Sequence, residues 1–84
     1  MTGADNTSQI HEQLLSTFRT ILEVDLPSEF LTTQKCERWD SLNHIKLILA
    51  IEQEFGVQLD IEDVELMYSS FERCLEHIIT LTQR

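Results

Sequence analysis

The stretch WDSLNHIKLILAIEQEFG, residues 39–56, decides how this chain is read. Gly56 closes it, and a glycine just past a periodic run is a common helix stop because it takes the left-handed conformation without a Cβ penalty. Ahead of it the apolar residues recur at helical spacing, which predicts a helix from about Ser41 to Phe55. On a wheel of about 100° per residue, His44, Leu47, Ile48, Ile51 and Phe55 gather on one side. That stripe is what a bundle helix turns toward its core. Leu42, Ile45 and Leu49 fall on the other side, beside Lys46, Glu52 and Gln53. A second apolar group rimmed by charge is the pattern of a partner-docking surface, unless the loop or a short helix covers it.

Outward from this helix the pattern stays helical. From Ser8 to Val24, Ile10, Leu14, Leu15, Phe18, Ile21 and Leu22 form one face opposite Glu12, Ser16, Arg19 and Glu23, an amphipathic helix that ends before Pro27. Residues 25–40 have no period, but Leu26, Phe30, Leu31 and Trp39 punctuate them, so the loop is expected to be pinned to a core. So long a connection in a small domain is usually functional. Asp60 is placed to cap a short helix over Ile61–Met67. Ser69 and Glu72 have capping-box spacing and are expected to open a last helix that buries Phe71, Cys74, Leu75 and Ile78. The reading is all-α: a four-helix bundle of three longer helices and one short one, with a long loop between the first two. Residues 1–7 are expected to be a flexible tail and residues 8–84 the helical domain.

Bulk composition narrows the function. The 84 residues are 42% hydrophobic with only 2 Gly and 1 Pro, which suits a single helical domain. Six Lys and Arg against fifteen Asp and Glu give a net charge of −9. That argues against nucleic acid and anionic membrane as partners and for basic protein surfaces, although such charge also serves solubility alone. The start, MTGADNTSQ, is polar and lacks the basic and apolar regions of a secretory signal, and the longest apolar run, LILAI, is far short of a membrane span. A cytoplasmic protein is expected, with Cys36 and Cys74 reduced, Cys36 partly exposed in the loop and Cys74 in the core.

No catalytic constellation is visible. A serine hydrolase needs a base and an orienting acid beside its serine, and His44 belongs to the core stripe. His11 and His77 have no metal-ligand spacing to the cysteines, and DIEDVE at 60–65 lacks the central glycine of a calcium loop. The acids Glu52, Glu54, Asp60, Glu62, Asp63 and Glu65, with no Lys or Arg among residues 51–65, read as a solvated face that adjoins the spare apolar stripe.

Ser41 has two readings. A serine at the start of a helix is most often a cap; alternatively, its hydroxyl lies exposed where backbone N–H groups and the helix dipole favour an anion such as a covalently attached phosphate. Asp-Ser-Leu by itself is a weak motif. Its setting is stronger: an amphipathic first helix, a long loop, DSL opening the second helix and IEQEFG closing it, in an acidic chain. That arrangement resembles the acyl carrier protein family over nearly the whole length.

The resemblance implies that Ser41 carries a 4′-phosphopantetheine arm, transferred from coenzyme A by a separate phosphopantetheinyl transferase that Asp40 helps to engage. The arm's thiol would hold acyl cargo as a thioester. Leu42, Leu49 and Glu52 match family positions that would meet partner enzymes (acyltransferases, ligases and ketosynthase-type enzymes with basic docking surfaces), and Ile45 and Lys46, beside them on the wheel, are expected to share that contact. Trp39 and Lys46 depart from the pattern of fatty-acid carriers, and WDSLNHI looks more like stand-alone carriers of polyketide and other specialised pathways. The expected protein is a monomeric, non-catalytic carrier that needs no metal. An aminoacyl or peptidyl carrier and an unmodified acidic adaptor are the alternatives. Any pocket sheltering an acyl chain would be lined by residues such as Phe18, Leu47, Ile51 and Ile78.

Overall fold

A computed structural model describes residues 3–82, with side chains from Thr7 onward. Four α-helices make up the fold: α1 (Gly3–Leu22), α2 (Ser41–Phe55), α3 (Ile61–Met67) and α4 (Phe71–Thr82). A single 3₁₀ turn, Ser28–Phe30, interrupts the long loop between α1 and α2. No sheet forms among the described residues; the only β-type pairing is one bridge between Thr32 and Ser70. α1 packs on α2 and α4, and α3 packs on α4. Among the described residues no helix is long and apolar enough to cross a membrane.

α1 begins five residues earlier than the expected Ser8, and Gly3 to Thr7 of the expected tail are helical; residues 1 and 2 lie outside the described residues. The polar run ADNTSQ carries no apolar period, so nothing in the pattern announces this extension. The other end stops two residues before Val24. Glu23 adopts φ +58°, and the Val24 N–H reaches back to the Arg19 carbonyl at 3.1 Å. This is a Schellman-type stop with a non-glycine residue in the left-handed position. Arg38 from the far end of the loop supports it, donating to the Leu22 carbonyl and pairing with Glu23 at 2.7 Å.

The core forms where these helices and the loop meet. Leu14, Phe18 and Leu22 of α1 are fully buried, as are Leu47 and Ile51 of α2 and Ile78 of α4. Phe18 is the hub: its ring meets Trp39 edge-on at 5.0 Å and Phe71 at 5.2 Å. Such pairs add about 0.5–1.5 kcal/mol each beyond their area.

The loop is pinned, as its apolar residues imply, by Leu31, Cys36 and Trp39, all buried. Backbone bonds fasten it to the start of α4: Phe71 N–H to the Leu31 carbonyl at 2.8 Å and Thr33 N–H to the Ser69 carbonyl at 3.0 Å. Phe30, expected to help pin the loop, is instead exposed, with the Lys35 ammonium 5.5 Å from its ring centroid. Cys36, expected to be partly exposed, is buried because the turn closed by its N–H on the Thr32 carbonyl folds it inward.

α3 has the expected bounds and a reciprocal capping box between Asp60 and Asp63. At α4 the cap is Ser70, one residue after the expected Ser69: its hydroxyl accepts from Arg73 N–H at 3.1 Å. Ser69 is occupied by the turn out of α3, its N–H donating to the Met67 carbonyl.

Candidate functional site

The N-terminus of α2 separates two roles that the sequence left entangled. Asp40 is the cap: its backbone is extended, and its Oδ1 accepts from Asn43 N–H at 2.9 Å. The Asp40 carbonyl accepts the first helical bond, from His44 N–H at 2.8 Å. Asn43 adds a second anchor, its side-chain N–H donating to the Arg38 carbonyl at 2.6 Å. Ser41 is therefore the first helical residue and not the cap. It is exposed, and its hydroxyl makes no hydrogen bond to any described residue.

Chemically, that corner suits an anion. The N–H groups of Ser41 and Leu42 have no helical acceptor, and the dipole of a fifteen-residue helix ends there. A phosphodiester on the Ser41 oxygen would sit against this partial positive charge. The residues thus fit a phosphate-linked arm such as 4′-phosphopantetheine: an unengaged hydroxyl, a separate capping acid and open solvent around it.

Behind Ser41 lies a packed aromatic wall. Trp39 and His44 are 2% and 3% exposed. The Trp39 indole N–H donates to His44 Nδ1 at 3.0 Å, and His44 Nε2 lies 2.7 Å from the Val64 carbonyl. Only the Nε2–H tautomer satisfies both contacts, since Nδ1 must accept and a carbonyl can only accept. Tyr68 covers the imidazole, ring centroids 4.6 Å apart at 30°. Burial lowers the His44 pKa from its ordinary 6.5, against a smaller opposite effect of the Val64 hydrogen bond. His44 is thus a satisfied core histidine, unavailable to Ser41 as a base.

The second apolar stripe of α2 stays uncovered. Leu42, Ile45 and Leu49 are 65%, 51% and 58% exposed, and Lys46 is exposed among them. On α3, Ile61 and Leu66 are exposed as well, and so is Tyr68 just after it. Ile61 had no signal in the sequence, where it is only the first residue of the short helix and lies about 60° from Val64 and about 120° from Met67 on the wheel, between two faces. It heads α3 directly after the Asp60 cap and projects into solvent.

The acidic run divides. Glu54, Asp60, Glu62 and Glu65 are exposed. Glu52 is half-buried, and its Oε2 accepts from Leu59 N–H at 2.9 Å, bracing the α2–α3 connection. Asp63 takes the Asp60 N–H and faces His77 Nε2 at 2.7 Å. These contacts, the Asp60 N–H foremost, hold its carboxyl below the ordinary carboxylate value.

Among the described residues no group of three or more His, Cys, Asp or Glu is arranged to hold a metal. Phe18, Leu47, Ile51 and Ile78, considered above as walls of an acyl pocket, are fully buried against one another's helices. The open groove between α1 and α2, about 340 Å³, is walled by Gln13, Thr17, Ala50 and Gln53 among others and lies away from Ser41. No family model, curated protein or solved structure matches this chain.

Proposed function

We propose that the chain is a non-catalytic carrier that bears a 4′-phosphopantetheine arm on Ser41 and presents acyl cargo on it as a thioester. The observation that carries this reading is the division of labour at the head of α2: Asp40 does the capping, which leaves the Ser41 hydroxyl exposed and unengaged at a helix N-terminus. In the attachment, Ser41 Oγ bonds to the phosphorus that carries pantetheine in coenzyme A. The pyrophosphate P–O bond breaks, adenosine 3′,5′-bisphosphate leaves, and the hydroxyl proton passes to a base of the transferase.

The thiol at the arm's end has a far lower pKa than an alcohol, so its thioester is a better acyl donor than an ester on Ser41 itself. Delivery needs docking, and the exposed Leu42, Ile45 and Leu49 with the acids of α3 suit basic enzyme surfaces that are met quickly and left quickly. The cargo we favour belongs to polyketide or other specialised biosynthesis; aminoacyl or peptidyl cargo would use the same arm.

A second reading rests on the apolar patch alone. An unmodified adaptor would use Leu42, Ile45, Leu49 and Ile61 to bind a partner without any arm. Intact-protein mass spectrometry after incubation with coenzyme A and a broad-specificity phosphopantetheinyl transferase separates the two. The carrier gains one arm, and Ser41→Ala stays folded and gains none. An unlabelled wild type favours the adaptor, and a label persisting in Ser41→Ala places the site elsewhere.

A further inference from the structure

His44 stands on α2 but is bonded to two other parts of the chain. One ring nitrogen holds Trp39, the residue immediately before the Asp40 cap and Ser41. The other holds Val64, in the middle of α3. We propose that His44 is a positioning residue that ties the corner presenting Ser41 to α3, and that a second proton on its ring releases the tie. The functional half of this proposal rests on the carrier reading; the structural half does not.

The geometry leaves no neutral way to add that proton. Nδ1 is occupied by the indole N–H at 3.0 Å, so protonation sets two donors against each other inside a buried contact. Trp39 cannot turn away freely, because its other edge packs on Phe18 and Tyr68 lies 6.1 Å from it. Relief must come from the segment that carries Trp39, and that segment leads directly into Asp40 and Ser41.

The groups that meet the imidazole offer the extra charge no partner. From the loop it is met by Trp39; Asp40 beyond it is exposed and caps α2. From α3 it is met by the Val64 carbonyl, which already accepts from Nε2–H, and from the end of α3 by the Tyr68 ring, whose hydroxyl lies 3.5 Å from the Trp39 carbonyl. Asp63, beside Val64, is committed to His77 and the Asp60 N–H, and Glu65 is exposed. On α2 itself Lys46 is exposed and carries the same sign.

The second histidine at α3 behaves oppositely. His77 donates to a carboxylate, so its bond to Asp63 survives protonation. At mildly acid pH α3 therefore stays fastened to α4 while its link to the Ser41 corner loosens. The direction follows from the His44 pKa, which burial lowers. The tie is complete above the ordinary value of 6.5, and it is lost as pH falls below 6.5 through the folded-state value.

NMR of the full, unmodified chain between pH 8 and 5 tests the structural half. Long-range ¹⁵N correlations should show His44 as the Nε2–H tautomer at pH 8. On acidification the indole N–H of the chain's single tryptophan and the Ser41 amide should move with the His44 midpoint, below 6.5. Trp39→Phe removes the opposing donor and should raise that midpoint. An Nδ1–H tautomer, or a His44 titration that leaves the Trp39 indole and Ser41 amide still, overturns the tie.

For the functional half, the initial rate of arm transfer from coenzyme A to Ser41 is compared between wild type and His44→Gln, which does not titrate. The wild-type to variant ratio should fall about twofold at the His44 midpoint, where half the molecules hold the competent corner. A ratio flat with pH overturns this half, and Trp39→Phe serves as the reference if His44→Gln does not fold. Absence of transfer at every pH overturns the carrier reading and the functional half with it, while the titration still decides the structural half.

Discussion

Leu47 and Leu49 are two residues apart on α2, yet the first is fully buried and the second is 58% exposed. The contrast runs along the whole helix: His44, Leu47, Ile48 and Ile51 are closed in, whereas Leu42, Ile45 and Leu49 are not. Apolar character alone does not separate them, since the one polar residue of the set, His44, is on the buried side. Position on the wheel does. One stripe has α1, the loop and, through His44, α3 to pack against; the other has no described element over it. A helix that keeps both stripes apolar holds its fold with one and leaves the other for whatever it meets.

The largest effect that distinguishes the faces is on stability. Leu47→Ala should cost about 2–5 kcal/mol, because a fully buried leucine leaves a cavity when truncated. Leu49→Ala should stay within about 0.5 kcal/mol of wild type. Urea denaturation of the two variants side by side measures the difference, and a severe loss in Leu49→Ala would break the comparison.

Gly56 lies at the end of both stripes and sharpens the point without touching either. Its φ is +65°, and a Cβ built there meets nothing within 4 Å. Gly56→Ala should therefore cost about 1 kcal/mol from backbone strain alone, with no clash to relieve. Thermal unfolding reads this directly, and a loss as large as that of Leu47→Ala would mean that the terminus is packed more tightly than its surroundings indicate.

The smallest effects belong to the outer face and appear in association, not in stability. Leu49→Ala should slow turnover by a partner enzyme. Glu52 is a less simple probe than its sequence position implies, because reversing its charge also removes the acceptor for Leu59 N–H. Glu52→Gln keeps an acceptor and removes only the charge, so it should lower the association rate modestly at low salt and little at high salt. Stopped-flow mixing with a basic partner at two ionic strengths checks it. An association rate unaffected by this change would remove Glu52 from the proposed docking surface.

What the sequence made legible follows the same division. The C-terminal end of α2 was legible because the Gly56 backbone carries local chemistry there, whereas its start was placed only at about Ser41, read as a cap, with the capping role of the Asp40 carboxylate unseen. α3 was legible through local chemistry too, that of Asp60. The start of α1 was not, since its first turns are polar and periodicity has nothing to register. The loop was legible only as a fact of pinning: bonds from Leu31 and Thr33 to Phe71 and Ser69 fix its path from far along the chain, and the turn that Cys36 N–H closes on Thr32 folds the cysteine inward, so Phe30 and Cys36 exchange their expected places. At the head of α2, the motif named Ser41 but could not say that Asp40 would relieve it of capping. The link from His44 to Trp39 and Val64 spans three parts of the chain, so composition and spacing could place His44 inward without revealing what it holds.

The burial of the two cysteines acquires a chemical meaning once a thioester is set on the surface. Acyl exchange onto sulfur begins with a thiolate that can reach the acyl carbon. Cys74 has its thiol pushed up to about 12 by burial, and its Sγ–H is donated to the Met67 carbonyl at 3.1 Å. Cys36 is shut beneath the loop at 2% exposure. Under the proposed function, an activated acyl group hung from Ser41 would consequently meet no rival thiol within its own molecule.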